Sequence, residues 1–198
     1  MNVVAFIGLT LDGVMQAPGR PDEDRRGGFE HGGWMLPYAD AVQSANTSRS
    51  MAETEAMLFG RRTYEDFFSV WPKRTDDNPF TDVLNRTQKY VASKTLEEPL
   101  PWVNSTLLRG EAAETVAELR ERPGKNLVVL GSGELVRSLM RRNLVDKYVL
   151  SIHPLILGSG RRLFDDPGPR VAHELVDATP TTTGVVIATY RPASSAAG

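Results

Sequence analysis

The chain has 198 residues, of which 40% are hydrophobic, and this is enough for one domain with a substantial core. Its formal net charge is −2, so no general basic field would attract nucleic acid or an anionic membrane. The absence of cysteine excludes disulfides, thiolate zinc sites and a cysteine nucleophile, and a reducing cytoplasm fits this composition.

The first predicted element is a strand over residues 3–9, an almost continuous apolar run of the kind that is covered on both faces. The run is too short to span a bilayer and lacks the basic start of a signal peptide. Asp12 follows it in "GLTLDGV", where a first strand opens toward the ligand edge of an α/β sheet, although an Asp-Gly turn would explain the same residues. Residues 17–33 are rich in Gly, Pro and charge, which is typical of lids, binding loops or disorder.

The middle of the chain alternates helices and strands. A helix is predicted over residues 37–46, a short buried strand over 56–60, a loop over 72–82 and another strand over 89–93. Thr63 is expected to open the helix that follows the second strand. Asp40 lies near the start of the first helix, where a carboxylate complements the helix dipole.

The last third continues this alternation and then changes to paired strands. Its predicted elements are a helix at 111–122, a strand at 127–130, a helix at 134–143, a strand at 147–152 and an antiparallel pair at 173–178 and 184–191. This order predicts an α/β fold with a mainly parallel sheet, flanking helices and an antiparallel edge. We expect one domain over residues 1–192 and a flexible tail over 193–198.

Two junctions combine a glycine with the start of a helix. Gly131-Ser132-Gly133 lacks the third glycine of a dinucleotide fingerprint, because Val136 stands at that position. Such a turn can still offer free N–H groups and a positive dipole end to an anion, or it can simply allow close packing of strand and helix. Both interpretations stay open from this segment alone.

At the other junction, "MLFGRRTYEDF", Arg61 and Arg62 follow Gly60 at a helix start. Arginines beside a helix N-terminus make a phosphate clamp, and the alternative is solvated charge. The alternative is weakened because cations oppose the dipole at a helix start. The histidines lack metal-ligand spacing, so no metal site is predicted, and neither a hydrolase elbow nor a P-loop motif occurs.

These segments together resemble a known family. "FGRRTYEDF" resembles the Gly-Arg-x-Thr segment of dihydrofolate reductase, and "VLGSGELVRSL" occupies the place of that fold's later glycine turn. "LVDKYVLSIHPLILGSGRRLF" and "LTLDG" are similar to segments of the reductase domain of the bifunctional riboflavin-biosynthesis deaminase–reductase. The resemblance covers roughly residues 2–190 in the right order, and the chain is identified as a member of the dihydrofolate-reductase-like superfamily.

The resemblance implies NADPH as hydride donor, a small-molecule substrate and a homodimer. By position, it implies three groups of cofactor-binding residues and a turn beside the nicotinamide. The 2′-phosphate and pyrophosphate would meet Gly60, Arg61, Arg62 and Thr63, and the adenosine end would meet Ser93 and Lys94. The pyrophosphate and nicotinamide side would meet Gly131, Ser132, Gly133, Glu134 and Leu135, and the turn from Thr10 to Gly13 would border the nicotinamide and substrate.

The predicted function is NADPH-dependent reduction of a small heterocyclic or carbonyl compound. Asp12 or Asp40 would orient the substrate or relay a proton. A lid would be formed by loop 17–33 with Phe29, His31 and Trp34, while Gly158 in the second Gly-Ser-Gly would border the substrate side or a dimer contact. The alternatives are a catalytically silent nucleotide-binding domain of the same fold and a dihydrofolate reductase. With no cysteine and no His-x-Glu, the zinc deaminase half of the bifunctional enzyme is absent from this chain.

Overall fold

The computed structural model describes residues 1–75, 78–164 and 170–193. Within them one sheet has the strand order β4-β3-β2-β5-β1-β6-β8-β7. The strands are β1 (Asn2–Thr10), β2 (Thr54–Gly60), β3 (Gln88–Ala92), β4 (Ser105–Leu108), β5 (Asn126–Leu130), β6 (Lys147–His153), β7 (His173–Pro180) and β8 (Val186–Pro192). Strands β1 to β6 pair in parallel, and β8 pairs antiparallel with β6 and β7. The predicted fold class is confirmed.

Helices cover both faces of the sheet. They are α1 (Ala41–Ala52), α2 (Arg61–Val70), α3 (Pro79–Arg86), α4 (Ala112–Arg120) and α5 (Gly133–Met140). Val3, Ala5 and Ile7 face one core cluster with α4 and α5, while Val4 faces the other cluster with α1, α2 and α3. The continuous apolar run of β1 follows from this arrangement, because side chains on both faces of a central strand are buried.

The sheet opens a cleft beside β1. Pairing between β1 and β5 ends at Phe6↔Leu130, while pairing between β1 and β6 continues to Thr10↔His153. After Leu130 the chain leaves the sheet and turns into α5. The last four residues of β1 therefore extend past β5, which is where open α/β sheets bind their ligands.

Some element boundaries differ from the sequence-based expectations. Helix α1 begins at Ala41 rather than residue 37, because Leu36–Tyr38 forms a 3-10 turn and the Asp40 side chain caps the helix by accepting from the Gln43 N–H at 2.8 Å. Helix α2 begins at Arg61 rather than Thr63. The predicted loop over 72–82 contains the start of α3, whose signal is Pro79 after a capping asparagine.

The tail that was predicted to be flexible begins at Ala193. The Ala193 N–H donates to the Ala172 carbonyl at 2.9 Å, and the rest of the predicted tail, 194–198, lies outside the described residues. No helix in residues 1–75, 78–164 and 170–193 is both long and apolar enough to cross a bilayer.

Candidate active site

A cavity of about 1760 Å³ lies at the carboxyl ends of the parallel strands. Gly60, Ala92 and Leu130, the last residues of β2, β3 and β5, all line it. So does the stretch of β1 from Phe6 to Gly8, where the sheet opens. The cavity exceeds the roughly 300–1,000 Å³ of an ordinary small-molecule pocket, so it has room for a large ligand or for two ligands side by side.

One end of the cavity is the β2–α2 junction. Gly60 caps α2, and Arg61 and Arg62 occupy its first turn. Arg61, Arg62 and Thr63 are the first three residues of α2, so their backbone N–H groups have no acceptor within the helix. Free N–H groups at a helix start carry the positive end of the helix dipole, so this junction suits an anion.

The β5–α5 junction is the second anion-binding candidate. Gly131 and Ser132 both adopt left-handed backbone conformations, with φ of 55° and 48°. A non-glycine residue with positive φ is uncommon and clusters at functional sites. Gly133, Glu134 and Leu135 are the first three residues of α5, so their N–H groups have no acceptor within the helix. This turn therefore presents a second helix N-terminus to the same cavity.

The two junctions touch each other directly. The Gly60 N–H donates to the Ser132 hydroxyl at 3.0 Å, across 72 residues of sequence. A Cβ built on Gly131 would lie 3.4 Å from the Thr63 methyl group, which is ordinary van der Waals contact, so the two junctions pack side by side. The structure thus brings the two predicted glycine motifs together as one continuous surface.

Charged side chains surround this surface. Arg61 pairs with Glu65 at 3.1 Å, and Arg62 lies 3.8 Å from Glu134, which also bonds to Arg161. Both arginines of the clamp keep substantial exposure, at 39% and 55% of their side chains. They can therefore turn toward an incoming phosphate at little cost, because exposed ion pairs are weak. Glu134 places a negative charge at the start of α5, where it would compete with a bound anion for the arginines and for the helix N-terminus.

Ser93 and Lys94 lie farther along the same wall, directly after β3. The Ser93 hydroxyl accepts from the N–H groups of Thr95 and Leu96, at 3.1 and 3.0 Å, and shapes the turn. Lys94 pairs with Glu111. The contact of Ser93 and Lys94 with the adenosine end of a dinucleotide stays a prediction.

The far end of the cavity is lined mainly by neutral residues and was not found from the sequence. Its lining comes from α1, α2, α3 and the 3-10 turn before α1. It comprises Gln43, Ser44, Thr47, Ser48, Met35, Phe67, Phe80, Val83 and Arg86. Four of these residues, Gln43, Ser44, Thr47 and Ser48, place amide and hydroxyl groups on one side of α1, and this side lines the cavity. The signal was present, since positions 43, 44, 47 and 48 have helical spacing.

Asp12 lies outside this lining and holds loops together. Its carboxylate accepts from the Thr10 hydroxyl at 2.6 Å, from the Gly158 N–H at 3.0 Å and from Arg162 at 3.2 Å. The hydrogen bond from Thr10, with those from Gly158, Leu157 and Arg162, lowers the pKa of Asp12 to about 2. A saturated, ionised carboxylate has no proton to relay at neutral pH. The geometry thus gives Asp12, Thr10 and Gly158 a role in fixing the turn at Gly13.

Asp40 is also engaged elsewhere. One oxygen caps α1, and the other accepts from the N–H and the hydroxyl of Thr182, at 2.7 and 2.9 Å, in the turn between β7 and β8. The hydrogen bond from the Gln43 N–H holds the pKa of Asp40 below its usual range. Asp40 does not line the cavity, so the structure places it away from the expected substrate.

Two of the three predicted lid residues, Phe29 and Trp34, pack inward, while His31 is exposed. Phe29 and Trp34 are buried in a small apolar cluster with Val14, and the Trp34 indole N–H donates to the Gln16 carbonyl at 2.8 Å. His31 packs edge-on against Phe29. None of the three predicted lid residues lines the cavity, because they form the anchor of the loop.

Other residues of the same loop face the cavity, and sequence reasoning missed them. They are Met15, Gln16, Ala17, Pro18, Glu23, Asp24, Arg25 and Arg26. Arg20 joins the loop to α2 through an ion pair with Asp66. A Cβ built on Gly133 would lie 1.9 Å from the Met15 sulfur, so the methionine covers the start of α5. The loop therefore closes over the paired glycine turns.

Comparison with known proteins places this geometry in a family. The model of the RibD C-terminal domain family matches residues 1–187. The uncharacterized Bacillus subtilis (strain 168) protein YyaP is 28% identical over 195 residues, covering 96% of this chain and 94% of YyaP. Its uncharacterized counterpart YwjB from the same strain is 26% identical over 181 residues, covering 90% of this chain and 86% of YwjB.

Solved structures agree on the fold. A protein assigned provisionally to riboflavin biosynthesis in Shewanella sp. PV-4 has a TM-score of 0.75 at 19% identity, covering 98% of this chain and all of that chain. Enterococcus faecalis dihydrofolate reductase, complexed with NADP(H) and RAB-propyl, has a TM-score of 0.62 at 12% identity. The match covers 98% of this chain and 97% of the reductase. The fold is therefore dihydrofolate-reductase-like.

Proposed function

Because the chain belongs to the RibD C-terminal domain family, we propose that it is an NADPH-dependent oxidoreductase that reduces a small heterocyclic or carbonyl substrate. The reaction would be similar to the reduction of 5-amino-6-(5-phosphoribosylamino)uracil in riboflavin biosynthesis. One observation carries the proposal: two helix N-termini, joined by the Gly60–Ser132 hydrogen bond, open into the same cavity beside two arginines.

The residues present fit the phosphates of a dinucleotide. The N–H groups at the start of α5 would hold the pyrophosphate, because β5, which leads into that turn, lies between β2 and β1 in the sheet. Arg61 and Arg62 would hold the 2′-phosphate that distinguishes NADPH from NADH. Ser93 and Lys94 would lie beside the adenosine. When bound, the cofactor supplies the hydride chemistry, and the protein supplies orientation and exclusion of water.

The neutral end of the cavity would take the substrate. The amide and hydroxyl groups on α1 can hydrogen-bond a polar ring, and Phe67 and Phe80 can pack against its faces. Gly8 on β1 would border the reacting centre, since the strand is open on that side. The loop that carries Met15 and Glu23 would cover the reactants, and its Arg20–Asp66 ion pair would hold it closed.

The alternative of a silent nucleotide-binding domain is favoured by one observation. Neither Asp12 nor Asp40, the two carboxylates expected to handle a proton, lines the cavity. The dihydrofolate reductase alternative loses support for a related reason. The face of α1 toward the cavity carries Gln43, Ser44, Thr47 and Ser48, with no carboxylate, and Asp40 turns toward Thr182.

Cofactor titration tests the proposed function. NADPH and NADH would be added separately while the fluorescence of the three tryptophans is followed. We expect NADPH to bind more tightly than NADH, and no binding of either at high micromolar concentration would overturn the proposal. Oxidation of NADPH with a panel of ribosylaminouracils, pterins and quinones would then identify the substrate class. Binding with no oxidation across the panel would select the silent domain, and oxidation with dihydrofolate alone would select dihydrofolate reductase.

We also propose that the chain forms a homodimer. Strand β7 lies at the edge of the sheet and exposes Leu175 and Val176 at 56% and 52%. An exposed apolar edge strand is normally covered in a native protein. Light scattering of the purified protein would test this proposal, with a mass of twice 21.8 kDa as the expected result.

A further inference from the structure

Glu23 is a carboxylate of the covering loop, and it lines the cavity. Its Oε2 atom accepts from the backbone N–H groups of Gly19 and Arg20, at 2.7 and 3.0 Å. Its Oε1 atom has no hydrogen-bond partner in residues 1–75, 78–164 and 170–193. One oxygen is therefore fixed by the protein, and the other is available to a ligand.

Glu23 differs from the other carboxylates around the cavity. Each of the others forms an ion pair with a basic side chain; they are Asp24, Glu65, Asp66, Glu111 and Glu134. Glu23 forms none with the described residues. Arg20, the nearby cation in sequence, directs its guanidinium to Asp66 and lies 3.5 Å from Asp22. An ion pair with a basic side chain stabilises the ionised form of a carboxyl group. Glu23 lacks such a pair among the described residues, so it keeps a proton more readily than the other carboxyl groups of the cavity.

The surroundings of Glu23 also favour its protonated form, because they raise its pKa. Burial raises the pKa of Glu23 above its ordinary value, and the negative charge of Asp66 raises it further. The N–H groups of Gly19 and Arg20 and the charge of Arg20 oppose this change without cancelling it. Asp12 and Asp40 have lowered pKa values, so Glu23 is the one of the three whose surroundings favour the protonated form.

We propose that Glu23 donates the proton that completes reduction of the substrate in this cavity. The inference rests on the proposed function. Hydride transfer from the reduced nicotinamide to the carbon of a C=N or C=O bond leaves the electron pair of the broken π bond on nitrogen or oxygen. The Glu23 carboxyl group transfers its proton to that atom, forming an N–H or O–H bond, and solvent then returns a proton to the carboxylate. The cofactor is oxidised and the substrate is reduced by one electron pair.

A measurement without substrate tests the first requirement, a glutamate that holds its proton to unusually high pH. The side-chain carboxyl signals of protein labelled with ¹³C-glutamate would be followed against pH by NMR, with Glu23→Gln used to assign Glu23. We expect its signal to titrate above the ordinary glutamate value of about 4.3. The exposed Glu30 of the same loop, assigned through Glu30→Gln, is the matched control. Titration of Glu23 at or below the pH of Glu30 would overturn the proposal.

Single-turnover kinetics test the second requirement, proton donation in the reaction. With saturating NADPH and the panel compound that the wild type reduces fastest, we expect Glu23→Gln to slow the step by about 10²- to 10⁴-fold. The affinity for NADPH, measured by tryptophan quenching, should change by less than about threefold, since the residue would not hold the cofactor. Glu23→Asp should restore part of the rate, and the fall in wild-type rate at alkaline pH should disappear in Glu23→Gln.

The two proposals fail in different ways. If the wild type binds no NADPH, the proposed function is wrong and the role of Glu23 falls with it. If the wild type reduces a substrate and Glu23→Gln keeps the rate and pH profile of Glu30→Gln, only the assignment of Glu23 is wrong. Melting temperatures of all variants would separate loss of rate from loss of folding.

Discussion

The two ends of the cavity are built in different ways. The proposed cofactor end consists of two short contiguous motifs, each running from a strand through a glycine into a helix. The proposed substrate end gathers single residues from β1, α1, α2, α3 and the covering loop. Binding a constant group such as a pyrophosphate needs backbone N–H groups in fixed geometry, which a local motif supplies. Recognising a particular substrate needs side chains, and these come from wherever the fold brings them.

The largest expected effect tests the cofactor end. Changing Arg61 and Arg62 to alanine should weaken NADPH binding far more than NADH binding, because the extra phosphate loses its partners. Each charge-assisted contact is worth about 1.5–3 kcal/mol, or roughly 10- to 150-fold in affinity. Fluorescence titration of both cofactors measures the ratio.

A matched control for this pair is available in α5. Arg141→Ala with Arg142→Ala removes two adjacent arginines from the C-terminal end of that helix, away from the cavity lining. This variant should bind both cofactors like the wild type. An equal loss of NADPH and NADH in the Arg61/Arg62 variant would mean that these arginines do not read the 2′-phosphate.

The next effect concerns the substrate end, where α3 forms part of the wall. The fully buried Lys89 ammonium donates to the carbonyls of Leu84 and Thr87, at 2.8 and 2.7 Å, and so caps the end of α3. Burial lowers the pKa of Lys89 to about 8. Between pH 8 and the ordinary lysine value of about 10.4, the unfolded chain binds more protons, so stability attributable to Lys89 should rise with pH.

Lys89→Met keeps the aliphatic volume and removes the titration. The free energy of unfolding of the wild type, relative to this variant, should increase by about 2–3 kcal/mol from pH 8 to 10.4. Urea denaturation at several pH values measures it. A difference that stays constant over this range would show that the folded-state pKa of Lys89 is ordinary.

The smallest expected effect is a change in NADPH affinity when the negative charge of Glu134 is removed from the proposed cofactor end. Glu134→Gln removes a negative charge from the start of α5 and releases Arg62 and Arg161 for the phosphates. Charges at a helix terminus are worth about 0.3–1 kcal/mol, so NADPH should bind roughly two- to fivefold more tightly. Glu118→Gln, an exposed change on α4, is the control. Weaker NADPH binding by Glu134→Gln would mean that the carboxylate itself contacts the cofactor.

The difference between local motifs and side chains gathered from distant segments also explains which features could be predicted from the sequence. Hydrophobic periodicity predicted the parallel sheet, because the buried runs of β1, β2 and β5 are short and flanked by turn residues. Both glycine junctions were also recognised, since their chemistry is local. Gly60 and Ser132 are nevertheless 72 residues apart, and only the resemblance to a family suggested that they meet.

Asp12 and Glu23 show what sequence could not predict. Both are acidic residues in loops after β1, and Asp12 was favoured because it follows the strand directly. The structure saturates Asp12 with donors from Thr10, Gly158 and Arg162, two of which come from beyond β6. At the cavity, it leaves Glu23 without an ion-pair partner among the described residues. The roles of these carboxylates depend on partners that are distant in sequence, so local patterns could not separate them.

The central claim is that the two joined glycine turns hold the phosphates of NADPH. A crystal structure of the protein soaked with NADPH tests it most directly. We expect pyrophosphate density against the N–H groups of Gly133, Glu134 and Leu135, and the 2′-phosphate within hydrogen-bond distance of Arg61 or Arg62. Density for the dinucleotide elsewhere on the protein, with the two turns unoccupied, would contradict the account.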